Sequence, residues 1–312
     1  MNDTNGPIFI VAPVRSGSTF LRLMLNSHPN ILNPGECDFL FEKIDDEGNF
    51  PDVSSYHEWL SQDRIFQAKE LDINKKLTYS ELMNSFVQQM ERKNEKLSMN
   101  LHHNFIRVPS VFPKAKYIHL LRDPRDVARS CIGMGWVGNV YHGVDVWIKA
   151  EKSWDDLKEN LNSEQYLEVK YENILENFEK ELTSICEFIG VEYTNSMLDY
   201  AKNSTYELPD KNLSYQWKKK YSKRELQLVE SKVSTMLLNR GYELSEHAKY
   251  RPSILEVLKL MLENKLFRIK VQIKVYGLAL YIKNYLSKKL NILSWQKECK
   301  SQMNKIQVKG LK

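Results

Sequence analysis

The stretch "VAPVRSGSTF" at residues 11–20 has the make-up of an anion-binding turn. Small residues between an apolar run and an amphipathic one let several backbone N–H groups and the positive end of a helix dipole converge on one spot. The phosphate loop of nucleotide hydrolases reads G-x-x-x-x-G-K-[ST]. Here the window holds Ala12, Gly17, Ser18 and Thr19, so the first glycine and the lysine are both absent, and Arg15 precedes the glycine instead. Arg15 and the N–H groups of Ser16, Gly17, Ser18 and Thr19 can hold a phosphate or a sulfate. Without the lysine, and with no clear acidic strand end for Mg²⁺, triphosphate hydrolysis fits poorly.

A second basic stretch, "RDPRDVARS" at 122–130, directly follows the apolar run "AKYIHLL". Alone, such a run is more often a solvated charged face. After a strand, its first arginine, Arg122, becomes a second cation at a carboxyl strand end, where α/β sheets bind ligands.

Both loops need strands before them and helices after them. "PIFIVAP" reads as a buried strand closed by Pro13, and "TFLRLMLNSH" as a helix whose Phe20, Leu21, Met24 and Leu25 face a sheet. Strand 115–121 leads into a helix with Asp123 as N-cap and Val127, Ala128 and Cys131 on its apolar face. A third strand, "YLEVKY" (166–171), precedes a helix with apolar spacing from Ile174 to Ile189 and Gly190 as C-cap. Residues 45–105 read as charged and mostly helical. Alternating strands and helices predict an α/β fold, a P-loop-like parallel sheet flanked by helices, with a helical C-terminal extension.

The chain's 312 residues, 42% hydrophobic and 27% charged, suffice for a large core. The start has no basic segment followed by a long apolar one, which points to a cytosolic protein. The four cysteines lie apart and form no metal-ligand pattern, which argues for reduced thiols and against structural zinc. Residues 251–312 hold 14 of the 45 Lys and Arg but only 3 of the 40 Asp and Glu, a net of +11 against −6 for the remainder. This gives a domain at 1–250 and a basic amphipathic helical extension at 251–312. The extension either packs on the body or a second subunit, or attaches peripherally to an anionic membrane surface. Its basic residues alternate with aliphatics rather than stacking aromatics, which speaks against nucleic-acid binding.

The two loop elements, "PVRSGSTFLRLML" and "FPKAKYIHLLRDPRDVARS", resemble those of the sulfotransferases that use 3′-phosphoadenosine-5′-phosphosulfate (PAPS). Within that family they are similar to the broad branch of tyrosylprotein and many bacterial members. The resemblance runs from about residue 7 to residue 245. It implies that the first element binds the 5′-phosphosulfate through Arg15 and residues 16–19, that Arg122 and Ser130 bind the 3′-phosphate, and that no metal is required. It also implies that Tyr171, at the Tyr-Glu of "LEVKYENIL", lies near the nucleotide. Ser214, Trp217 and Lys218, in "LSYQWKKKYSKREL", would belong to a loop closing over the cofactor. Gly35 and Glu36 match a Gly-Glu that supplies the catalytic carboxylate in the tyrosylprotein branch, and an apolar acceptor beside Glu36 would raise its pKa. Many relatives carry a Lys-(Thr/Asp)-Pro before the second element; "LSMNLHHNFIRVPSVFP" has neither residue, so His102 or His103 stands as a substitute acid or base.

The activity this implies is in-line transfer of a sulfuryl group from PAPS, leaving adenosine bisphosphate (PAP), to a hydroxyl or amine of a metabolite, a lipid or an acyl chain on an acidic carrier protein. A tyrosylprotein acceptor is the alternative within the class. A small-molecule kinase with a degenerate loop and a non-catalytic nucleotide-binding module are the alternatives outside it. Trp136, Tyr141, His142 and Trp147 either pack the core or line the acceptor pocket.

Overall fold

Five parallel strands are ordered β2-β3-β1-β4-β5 in the computed structural model, which describes residues 6–247 and 249–310, with the side chains of 308–310 outside the description. The ends of the expected extension, 311 and 312, lie outside it too. The strands are β1 (Ile8–Val11), β2 (Ile31–Leu32), β3 (Lys96–Leu101), β4 (Lys116–Leu121) and β5 (Tyr166–Lys170). Between them run α1 (Ser18–Asn26), then α2 (Val53–Leu60), α3 (Arg64–Gln67) and α4 (Tyr79–Met90), then α5 (Pro124–Gly133), α6 (Val140–Gly143) and α7 (Asp145–Lys158). After β5 follow α8 (Tyr171–Glu176), α9 (Phe178–Ile189), α10 (Tyr200–Asn203), α11 (Trp217–Lys220) and α12 (Lys223–Asn239). The chain closes with α13 (Ile254–Tyr276), α14 (Leu278–Lys289) and α15 (Leu293–Gly310).

The central strand β1 is apolar throughout because both its faces are covered, as a parallel sheet requires. Phe9 and Val11 join a core with Met99, Leu101, Phe86 and Trp154, while Ile8 and Ile10 join one with Leu21, Ile118, Ile174 and Ile185. β1 has β3 on one side and β4 on the other, so the chain leaves it first in one direction and later in the other. Such a switch point opens a crevice at the carboxyl ends of the strands.

Residues 45–105 differ from the reading as charged and mostly helical, because 96–101 form β3, paired to β1 from Ile8–Ser98 to Val11–Leu101. The strand alternates Leu97, Met99 and Leu101 with Ser98 and Asn100, and both polar residues are buried. Asn33 Nδ2 donates to Ser98 Oγ (3.0 Å) and Asn100 Oδ1 (3.1 Å), and Asn100 Nδ2 donates to the Ser18 carbonyl (3.3 Å). These polar residues hide the strand in the sequence and tie the Asn33–Glu36 loop to α1.

Candidate functional site

The turn after β1 is shaped by two residues with positive φ, Arg15 at 70° and Gly17 at 94°. A Cβ on Gly17 would lie 2.3 Å from the Tyr171 ring, so only glycine fits there. Gly17 caps α1 without any side-chain hydrogen bond, and the first turn carries no acidic residue, which leaves a positive helix end open to an anion. A left-handed arginine costs about 1–2 kcal/mol and is held from the next loop. Arg122 Nη1 donates to the Arg15 carbonyl (3.1 Å), and Arg15 Nε donates to Ser130 Oγ (3.0 Å).

Arg15, Arg122, Ser130 and Tyr171 therefore come together. The Arg122 guanidinium stacks on the Tyr171 ring at 4.3 Å, and Trp147 Nε1 donates to the Arg122 carbonyl (2.9 Å). Two buried polar atoms in this cluster, Ser16 Oγ and Arg122 Nε, have no hydrogen-bond partner. A buried polar atom left unpaired is costly unless a ligand completes it.

The sequence reading missed the second arginine of "RDPRD". Arg125 is 1% exposed, chelated by Asp123 (2.7 and 2.9 Å) and paired with Glu230 (2.9 Å). It stacks on Trp217 at 3.6 Å, and Trp217 Nε1 donates to Asp123 (2.9 Å). Asp126 accepts from the backbone N–H groups of Gln216 and Trp217, and burial pushes its pKa up to about 6. Trp217 is thus the anchor that pins its segment beside Arg122. Ser214 donates to the Lys211 carbonyl (2.6 Å) and Lys218 is exposed beside Tyr215; no hydrogen bond joins either to Arg15 or Arg122.

Glu36 reaches the same end of the sheet by another route. The loop after β2 runs along β3, with Asn100 N–H donating to the Gly35 carbonyl (2.9 Å) and Cys37 N–H to the Asn100 carbonyl (2.9 Å). Lys69 Nζ fixes the Pro34 carbonyl (2.9 Å). His102, the residue after β3, donates from Nδ1 to the Ala12 carbonyl (3.0 Å) and places Nε2 3.6 Å from Glu36 Oε1. Its N–H donates to Asp38 (2.8 Å). His103 turns away toward Glu42 and Asp38 and does not reach Glu36.

With no acceptor beside it, Glu36 is held low: the His102 ring facing it at 3.6 Å outweighs burial and lowers its pKa, with Arg64 and Arg22 adding Coulombic support. Burial opposes charge on His102, but Glu36, Asp38 and the Ala12 carbonyl outweigh it and raise its pKa. Each member of the pair thus favours the charged form of the other.

Glu36 lines a cleft of about 1570 Å³. Its walls combine apolar Leu32, Ile65 and Met90 with cationic Arg22, Arg64 and Arg92, and α15 contributes Asn304 and Lys305. Trp136, Tyr141, His142 and Trp147 are not among its lining residues; Trp147 is fully buried and Trp136 stands 43% exposed. Among the described residues no group of three or more His, Cys, Asp or Glu side chains is placed to hold a metal ion.

A sequence model described as "Sulfotransferase family" matches residues 7–195. The omega-hydroxy-beta-dihydromenaquinone-9 sulfotransferase Stf3 of Mycobacterium bovis is 26% identical over 177 residues, which cover 48% of this chain and 44% of that protein. The chain thus spans less than half of that relative. Among solved structures, a sulfotransferase domain from the curacin biosynthetic pathway superposes with a TM-score of 0.59 at 20% identity, covering 78% of this chain and 100% of that domain. A sulfotransferase domain from the Synechococcus PCC 7002 olefin synthase gives 0.55 at 21% identity, covering 78% of this chain and 98% of that domain. At these identities the structural likeness is one of fold.

Proposed function

The chain belongs to the sulfotransferase family, and from that premise we propose that this enzyme uses PAPS as donor and transfers its sulfuryl group to a hydroxyl or amine. The observation that carries the choice of donor is the joined pair of anion sites. Arg122 grips the Arg15 carbonyl, Arg15 grips Ser130, and the buried Ser16 Oγ and Arg122 Nε stand without partners. PAPS has anionic groups at two ends, and its residues for them here are Arg15 with the 16–19 loop, and Arg122 with Ser130.

PAPS supplies the activated sulfuryl group and a phosphate leaving group. Arg15 and the N–H groups of residues 16–19 stabilise charge gathering on the departing oxygen. Glu36, already ionised, accepts the acceptor's proton, and His102 holds that carboxylate in place. Arg125 and Trp217 position the segment beside Arg122 without touching the reacting atoms. The cleft's mixed lining suits an amphiphile, which favours a lipid or a carrier-bound acyl chain among the metabolite, lipid and carrier-bound acceptors that hydroxyl chemistry allows.

Calorimetric titration with PAP, in parallel with ATP plus Mg²⁺, tests the donor. The expected result is tight PAP binding that needs no metal. Binding only to ATP with Mg²⁺ would return the chain to a kinase reading.

A pH profile tests the dyad. In His102→Asn the facing imidazole that depresses the Glu36 pKa is gone while burial still raises it. The acid limb of turnover, read as PAP formed across about pH 4 to 8, should therefore move to higher pH, with a plateau roughly tenfold to a hundredfold lower. An acid limb that stays in place would dissociate His102 from Glu36.

A further inference from the structure

The first helix of the basic extension joins the body along one side. Leu260 of α13 is buried, its carbonyl accepts from Asn139 Nδ2 (2.8 Å), and Asn264 Oδ1 accepts from Gly138 N–H (2.8 Å). Gly135 and Gly138 leave room for Val271 and Phe267, whose side chains a Cβ would meet at 2.8 and 2.7 Å. The helix is thereby fixed in rotation. Its other side presents Ile254, Leu255, Leu258, Leu262 and Leu266, all more than half exposed and the first two about four-fifths exposed. Leu278, Ile282 and Tyr285 are exposed at helical spacing on α14.

Large exposed apolar stripes on a docked helix mark a surface that is covered in use. The charges around this one identify what covers it. By helical spacing, Lys259 and Lys270 flank the α13 stripe and Lys265 stands within it, while Lys288 and Lys289 close α14. A second copy of the same face would set cation against cation in a region carrying 14 basic and 3 acidic residues. A bilayer rich in anionic lipid takes both components at once, the leucines below the headgroups and the lysines among them. No helix among the described residues is long and apolar enough to cross a membrane, so such contact is peripheral.

We propose that the outer face of α13 and α14 docks on anionic phospholipid bilayers. The proposal does not depend on the reading of the donor site. It does bear on the cleft, because α15 packs on α13 and α14 and carries Asn304 and Lys305 to the cleft wall, with Asn304 Nδ2 donating to the Gln62 carbonyl (3.2 Å).

Flotation of the full chain with phosphatidylcholine vesicles, with and without phosphatidylglycerol, tests this. The mixed vesicles should capture the protein roughly tenfold better or more, and high salt should release it. Leu258→Glu combined with Leu262→Glu should abolish capture, and Lys265→Ala combined with Lys270→Ala should weaken it roughly thirtyfold, about fivefold for each lysine near the surface. Unchanged thermal melting and PAP titration in both variants exclude misfolding, since the four side chains make no core contact. Equal capture by both vesicles, no capture by either, or a dimer in light scattering that Leu258→Glu with Leu262→Glu dissolves would each overturn the proposal. Loss of PAP binding in the unaltered protein with vesicle capture intact would instead count against the donor reading alone.

Discussion

Glu36→Gln should lower turnover by roughly 10²- to 10⁴-fold, the range general-base catalysis contributes, while PAP affinity changes little. The amide keeps the size and can still face His102, but it cannot take a proton. No hydrogen bond or ion pair joins Glu36 to Arg15 or Arg122; its partners are His102 and the backbone of β3. A second signature follows from the pair. Glu36 supports the charge on His102, so its loss should let the imidazole pKa fall back toward or below its ordinary value, since burial works against the charge. Residual activity in the variant should then rise with pH through the range where histidine deprotonates, as the freed Nε2 becomes a weak base. Stopped-flow or radiometric turnover with donor and PAP titration on the same preparation measure both. A fall of less than about tenfold, with no new limb, would remove Glu36 from the base role.

The elements legible in the sequence were those whose constraints are local. β1 is buried on both faces and reads as an unbroken apolar run, β4 is apolar but for Lys116 and His119, and the caps at Asp123 and Gly190 stand where their residue types place them. β3 was hidden because Ser98 and Asn100 serve the hydrogen-bond network that steers the Glu36 loop, so the strand lacks an apolar run. Arg122 could be picked out because it follows a strand, whereas two of the partners that bury Arg125, Trp217 and Glu230, come from far along the chain, Glu230 105 positions later. Likewise "HH" gives no hint that His102 turns inward and His103 outward; that depends on Ala12, Asp38 and Glu42, each more than 60 positions away. The extension was visibly amphipathic, but which stripe docks is decided by the glycines at 135 and 138.

Arg122→Ala and Arg15→Ala should separate the two ends of the nucleotide when PAP and adenosine 5′-monophosphate are titrated side by side. Charge-assisted hydrogen bonds contribute about 1.5–3 kcal/mol each, so losing two of them weakens binding roughly 10²- to 10⁴-fold. On the proposed assignment Arg122 serves the 3′-phosphate, which the monophosphate lacks, and the variant should lose most of the preference for PAP. The loss will not be confined to that phosphate. Arg122 also holds the Arg15 carbonyl in its left-handed turn, so monophosphate binding should fall as well, by roughly tenfold for the one structural hydrogen bond. Arg15→Ala should weaken both ligands by similar factors, because the 5′ end is common to them. The double variant should lose less than the sum, since Arg122 supports the turn that presents Arg15 through its hydrogen bond to the Arg15 carbonyl. Equal weakening of both ligands by Arg122→Ala would move that residue from the 3′-phosphate to the loop's scaffold. Unchanged affinity in both variants would mean that these two cations do not bind the donor at all.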